Sequence, residues 1–195
     1  MSLIQFQDLK DMSAAVDVPI PDSNTHVRMH RLHTWDNGTS VMIVDFPPGW
    51  SRPFSGSYVC AEEFLVFEGE LHMSGDVIVA GDHTWVPPNS LREGAFTPNG
   101  AHALAWFYGA PDWVRSIDEV GKISQIRTHI NDVESGPIRH EGANGIVGKT
   151  LKVSPGEYHV EQKCEIINII ERTWSLHSPG GVLNLSGQEI VRFSE

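Results

Sequence analysis

Cysteine, basic charge and long apolar runs are all scarce in this chain of 195 residues, and each scarcity excludes something. Two cysteines, Cys60 and Cys164, are too few for a disulfide framework and fit a reducing compartment, so the expectation is a cytoplasmic protein. The 14 basic residues face 25 acidic ones, a formal charge of −11, and they are scattered rather than gathered in a stripe. Such a surface repels phosphate backbones, so no nucleic-acid partner is expected. No apolar run approaches the roughly 20 residues of a membrane span, and the N-terminus has no basic stretch ahead of an apolar one, so neither a membrane partner nor a secretory signal is expected.

Helical signals are thin as well. Eighteen glycines and 12 prolines punctuate short runs rich in valine, isoleucine and aromatics, such as "TSVMIVDF", "EEFLVFEGEL" and "AHALAWFYG". That punctuation predicts an all-β sandwich or barrel. Only "APDWVRSIDEVGKISQI" could hold a helical turn or two, as a crossing between units. A chain of this length buries a core without metal or disulfide staples.

A weak internal repeat points to two units. "VMIVDFPPG" (Val41 to Gly49) is echoed by "KTLKVSPG" (Lys149 to Gly156), and glycines recur at the same spacing, Gly75 to Gly81 and Gly181 to Gly187. The second unit is short of strands for a closed barrel. It is therefore expected to borrow an edge from roughly Thr25 to Trp35 or from a partner chain. The predicted organisation is a segment 1–38 pairing with the barrels, a first barrel over 39–115, and a linker with a partial second unit over 116–195.

Two blocks carry chemistry. Glu62 precedes Gly69 by seven residues in "EEFLVFEG", and Gly81 precedes Pro87 by six with Arg92 five beyond. These blocks resemble the paired motifs of the cupin superfamily, G-x5-H-x-H-x3-E-x6-G and G-x5-P-x-G-x2-H-x3-N. The flavour is closest to the cupin-like domain of ChrR-type anti-sigma factors and to acetylacetone-dioxygenase-like cupins, and it covers about Thr39 to Tyr108. The resemblance implies a double-stranded β-helix barrel, jelly-roll-like, whose open end holds a divalent metal on three histidines and a glutamate, with a second, partial cupin-like repeat.

Carried onto this chain, the two histidines of the first motif fall on Gly56 and Tyr58, the glutamate on Glu62 and the histidine of the second motif on Arg92. The asparagine position falls on Phe96. Only Glu62 matches, so the expectation is a first barrel with no metal and no cofactor. Strand alternation independently puts Gly56, Tyr58, Glu62, Phe64 and Val66 on one face if no bulge intervenes. A glutamate inside an apolar barrel needs a compensating cation, and Arg92 is expected to supply it, with Tyr58 close by. The candidate ligand-binding set is Tyr58, Glu62, Phe64, Arg92 and His102, the last because "AHALAW" reads as barrel wall. No catalytic residue is assigned.

In the second repeat, His159, Glu161 and Glu165 keep an H-x-E-x3-E spacing that could hold a divalent metal, though polar alternation along an exposed strand gives the same pattern. "ANGIVGKT", Ala143 to Thr150, satisfies a relaxed phosphate-loop pattern, but the strand-like "LKVSPG" follows it where a helix is needed. The reading that results is a small-molecule-binding cupin with a metal-free first site, as a homodimer. Its alternatives are a metal-dependent dioxygenase or hydrolase, and a metal-free isomerase or lyase using Tyr58, Glu62 and Arg92.

Overall fold

A computed structural model describes residues 3–115, 125–139 and 148–193. Among them the chain forms 20 strands and one 3₁₀ turn at Ile130–Asp132, with no α-helix. Two compact units result, one of Met12–Thr128 and a smaller one of Met1–Asp11 with His129–Glu195. Most of the possible helical crossing, 116–124, and the first residues of the phosphate-loop pattern, 143–147, lie outside the described residues.

The first strand, β1 (Leu3–Asp8), belongs to the smaller unit. The larger unit begins with β2 (Val16–Val18), β3 (Val27–Thr34), β4 (Thr39–Phe46), β5 (Ser51–Arg52) and β6 (Gly56–Tyr58). It continues with β7 (Glu62–Met73), β8 (Asp76–Val79), β9 (Asp82–Val86), β10 (Ala95–Phe96), β11 (Ala101–Tyr108), β12 (Trp113–Arg115) and β13 (Ile126–His129). The main sheet runs β13-β9-β7-β11-β4-β3-β2, while β8 and β10 pair with the far half of β7.

One irregularity lets β7 serve both sets of neighbours. Val66 pairs with Ala103 and Glu68 with His102, so Phe67 is an extra residue and the strand bends there. Before the bend β7 pairs with β9 and β11; beyond it Glu68 and Gly69 still pair with β11, and Glu70–Met73 turn to β8 and β10. Gly69, the glycine of "EEFLVFEG", sits at φ +72°, where a Cβ would lie 2.0 Å from the Gly100 carbonyl oxygen. Only glycine fits that approach.

Alternation then sorts the side chains. Phe64 and Val66 join Met42, Val44, Ala103, Ala105 and Phe107 in the barrel core, each large apolar side chain contributing about 1.5–3 kcal/mol by burial. Glu63 and Leu65 turn to the opposite face. There the Glu63 carboxylate takes hydrogen bonds from the Tyr108 hydroxyl at 2.6 Å and the His83 ring at 2.7 Å.

The smaller unit adds β14 (Gly136–Arg139), β15 (Lys149–Lys152), β16 (Gly156–His159), β17 (Cys164–Asn168), β18 (Thr173–His177), β19 (Val182–Leu185) and β20 (Glu189–Phe193). Its sheet runs β1-β18-β17-β20-β15-β14, with β16 and β19 as a separate pair. Val160, Cys164, Ile166, Leu185, Val191 and Phe193 form its core.

The expected borrowing from the N-terminal segment needs correcting in its residues. β1 pairs with β18 and so extends this sheet, whereas Val27–Thr34 pairs with β2 and β4 inside the larger unit. The eight-residue β3 alternates a buried Val27 with exposed Arg28 and fits an inner strand of the larger sheet better than an edge of the smaller one.

Candidate functional site

The site lies inside the larger barrel, at the end of β7 that carries Glu62. Three short strands bring its polar side chains together. A pair of backbone hydrogen bonds locks Arg92 to Gly56: the Arg92 amide donates to the Gly56 carbonyl at 2.8 Å, and the Gly56 amide donates back at 3.2 Å. That bridge aims the Arg92 guanidinium across β6, where it donates to the Glu62 carboxylate. β5 lies against β10, with Arg52 opposite Ala95, and places a second guanidinium beside the first.

Tyr58 stands between the two cations. Arg52 donates to its hydroxyl at 3.2 Å, and the guanidinium carbons of Arg92 and Arg52 lie 4.5 and 5.4 Å from its ring centre. Its ring meets Phe107 and Trp113 edge-on. The Trp113 ring also faces Arg52, 3.7 Å from ring centre to guanidinium carbon. The same indole takes the space above Gly56, where a Cβ would stand 2.4 Å from a Trp113 ring carbon. An aromatic wall thus occupies the volume that a side chain at position 56 would need.

These groups and an apolar lining that includes Phe64, Val44, Ala103 and Ala105 enclose a cavity of about 50 Å³. Its space exists because small alanines, Ala103 and Ala105, stand on β11 opposite Val66 and Phe64. Arg52 and Arg92 are each 4% exposed and Glu62 9%, so two positive charges and one negative are held out of water. Burial lowers the Arg52 pKa, with the Arg92 charge acting in the same direction. Burial and the Glu62 carboxylate push the neighbouring Cys60 thiol up to about 11, which keeps it protonated and unreactive.

Of the residues singled out from sequence, Tyr58, Glu62, Phe64 and Arg92 all line this cavity. His102 does not. The extra residue in β7 falls beside it, and β11 turns Ala103, Ala105 and Phe107 inward while His102 sits 3.6 Å from Asp45 on the other face. Its placement in the barrel interior is corrected accordingly. Arg52 was missed, because it lies outside both motifs on a two-residue strand. The available signal was the alternation of Trp50 and Arg52, both buried, four and two residues ahead of Phe54.

A divalent metal on this fold needs several histidine or carboxylate donors converging on one point. The positions present one carboxylate already bonded to a guanidinium, a phenol, a glycine and a second guanidinium, and that set does not fit a cation. In the smaller unit Glu165 is buried on β17, bonded to Arg192 and accepting from the Trp174 indole at 2.7 Å, whereas His159 and Glu161 are exposed. The three do not converge. Among the described residues no group of three or more His, Cys, Asp and Glu side chains could hold a metal ion, and no helix is long and apolar enough to cross a membrane.

No protein-family model and no curated protein sequence matches the chain. Solved structures do. A protein of Nostoc punctiforme, provisionally named a dioxygenase, superposes with a TM-score of 0.70 over 96% of this chain and 80% of its own, at 12% identity. The protein Ylba from E. coli gives 0.59 over 98% and 92%, at 9% identity. A provisionally named glyoxylate-induced protein of Pseudomonas aeruginosa gives 0.56 over 100% and 91%, at 12% identity. The fold they define is the cupin fold, all-β, with a second cupin-like unit following the first. At these identities the likeness is one of fold, and the chemistry has to be argued from the site.

Proposed function

We propose that the protein is a small-molecule-binding cupin whose larger barrel has replaced the family's metal centre with a cluster of buried ionic side chains. The observation that carries this reading is the Arg92–Glu62 ion pair inside the cavity, where the carboxylate that would ligate a metal is already neutralised. A purely structural pair would be served as well by packed apolar side chains, which are often neutral or better for stability. Here instead the pair borders open volume.

Elemental analysis of purified protein tests the metal part, with substoichiometric zinc, iron, manganese and nickel expected. One transition metal per chain, lost on Glu62→Gln, would sink it. A thermal-shift screen of small organic ligands tests the binding part, with hits expected to disappear on Ala105→Leu, which fills the cavity.

The reading extends to a homodimer in a reducing compartment. β1 ends its sheet with Leu3, Ile4 and Phe6 45–57% exposed, an apolar strip that supports a second copy as its cover. Light scattering on purified protein is expected to give twice the 21.6 kDa chain mass. A monomer at tens of micromolar would refute the dimer.

A further inference from the structure

The charges inside the barrel do not balance. Arg92 has a carboxylate partner in Glu62, but the hydrogen bond that Arg52 makes inside the cavity goes to the neutral hydroxyl of Tyr58. The Nε–H of Arg52 and the Nε–H of Arg92 are both buried without a hydrogen-bond acceptor. A guanidinium cannot shed its charge in a protein, so Arg52 stands in an apolar enclosure with no carboxylate hydrogen-bonded to it, Asp22 and Glu62 acting on it only through space, together with unused donors. Such an arrangement is costly unless something negative completes it.

Resting on the small-molecule reading above, we propose that the ligand is a small organic monoanion, a carboxylate with a short apolar tail, held between Arg52 and Arg92. One negative charge balances the site, two guanidiniums plus Glu62, where a dianion would overshoot. Guanidinium forks match the two oxygens of a carboxylate in geometry as well as charge. A cavity of about 50 Å³ has room for about three to five water-sized groups at 10–15 Å³ each, the size of acetate or propionate. The walls beyond the arginines, Val44, Phe64, Ala103 and Phe107, offer a methyl or methylene group apolar contact and offer a second polar group no partner. Trp113, whose ring centre lies 3.7 Å from the Arg52 guanidinium carbon, backs that cation with an aromatic face.

Titration calorimetry and thermal shift at constant ionic strength, with acetate, propionate, hexanoate, propionamide and inorganic phosphate as probes, test the assignment. Acetate or propionate is expected to bind at least tenfold more tightly than propionamide, phosphate and hexanoate. Arg52→Met should abolish that binding and Arg52→Lys retain part of it. Transferred nuclear Overhauser effects from the propionate methyl to the Phe64 and Phe107 rings of wild-type protein provide a readout that needs no variant to fold. If propionamide binds as well as propionate, the charge assignment is overturned while the ligand-binding reading stands. If no probe of either charge binds, the carboxylate assignment is overturned, and an Arg52→Met variant as stable as wild type then overturns the ligand-binding reading as well.

Discussion

The two units share one strand plan and differ in what they enclose. In the larger, β9-β7-β11-β4-β3 lie in that order; in the smaller, β18-β17-β20-β15-β14 do. Aligned on that plan, Glu63 opposite Trp106 corresponds to Glu165 opposite Arg192. Each of these glutamates is buried, with donors that include His83 and Tyr108 in one unit and Trp174 and Arg192 in the other. On the inward face the correspondence breaks. Cys164 stands where Glu62 does, and Val191 where Ala105 does, so the smaller core is apolar while the larger keeps a cavity with three charged groups. Burial and the nearby Glu165 push the Cys164 thiol up to about 12, consistent with that interior. The framework glutamate thus recurs in both units, and the inward charge is particular to one.

The sharpest way to break this comparison is to remove one member of each ion pair. Glu165→Gln removes a carboxylate from Arg192, 0% exposed, and is expected to cost about 3–5 kcal/mol in chemical denaturation, with no recovery in any salt. Glu62→Gln leaves two guanidiniums beside a cavity that an anion can enter, so its loss is expected to be smaller and to shrink in acetate. Equal losses and no acetate effect would mean that the two pairs serve the same structural purpose. A double-mutant cycle with Arg92→Met should show coupling at Glu62, and strictly additive losses there would remove the pair from the account.

Most of the fold was legible because "EEFLVFEG" encodes both the alternation of β7 and the glycine its bend requires. The Glu62–Arg92 contact followed from two positions that share one focus in the fold, and β7 delivers it. What failed did so by single residues. The extra residue at Phe67 put His102 on the outer face, and the spacing that grouped Glu165 with His159 and Glu161 runs one position off the strand, where Cys164 rather than Glu165 faces the core. A period of two makes every such slip a change of face. Arg52 was invisible for a different reason, since its role depends on Trp113, 61 positions away, folding under it.

Placing histidines at the cupin-motif positions probes the aromatic wall. Gly56→His with Arg92→His returns two imidazoles to the motif positions, yet the space at position 56 is taken by Trp113 and by the Val114 carbonyl, 2.6 Å from a Cβ there. The variant is expected to lose about 1–3 kcal/mol by overpacking and to bind zinc no better than wild type. Tight zinc binding by that double variant would show that the wall yields and that ligand identity alone separates this barrel from a metal-bearing one.

A smaller effect belongs to the smaller unit. Burial lowers the pKa of His177, so the unfolded chain binds its proton more readily than the folded one. Stability is therefore expected to fall as pH drops below about 6.5, until the lower folded value is passed. In urea titrations at pH 7.5 and 5.5, His177→Gln should flatten that part of the profile, and an unchanged slope would assign it elsewhere.

The smallest effect tests how each unit closes its inner strand pair. In the smaller unit β16 pairs with β19, both within the repeat, whereas in the larger β6 pairs with β12, the stretch that follows the last barrel strand. β12 needs fastening, and Asp22 provides it: its carboxylate accepts from the Trp113 indole at 2.9 Å and from Arg115 at 3.0 and 2.5 Å. Arg115 first, then Trp113, holds the Asp22 carboxyl below its ordinary value of 3.8. The contribution is thus present above the ordinary carboxylate range and lost as pH falls through the lowered folded value. Asp22 is half-buried but its partner Arg115 is exposed, so the pair is screened by salt and global stability should barely move on Asp22→Asn. Local opening should move instead, with faster amide exchange at Trp113–Arg115 and faster entry of acetate, while β16 and β19 exchange as in wild type. Unchanged exchange at β12 in Asp22→Asn would mean that the strand is held by Trp113 packing alone.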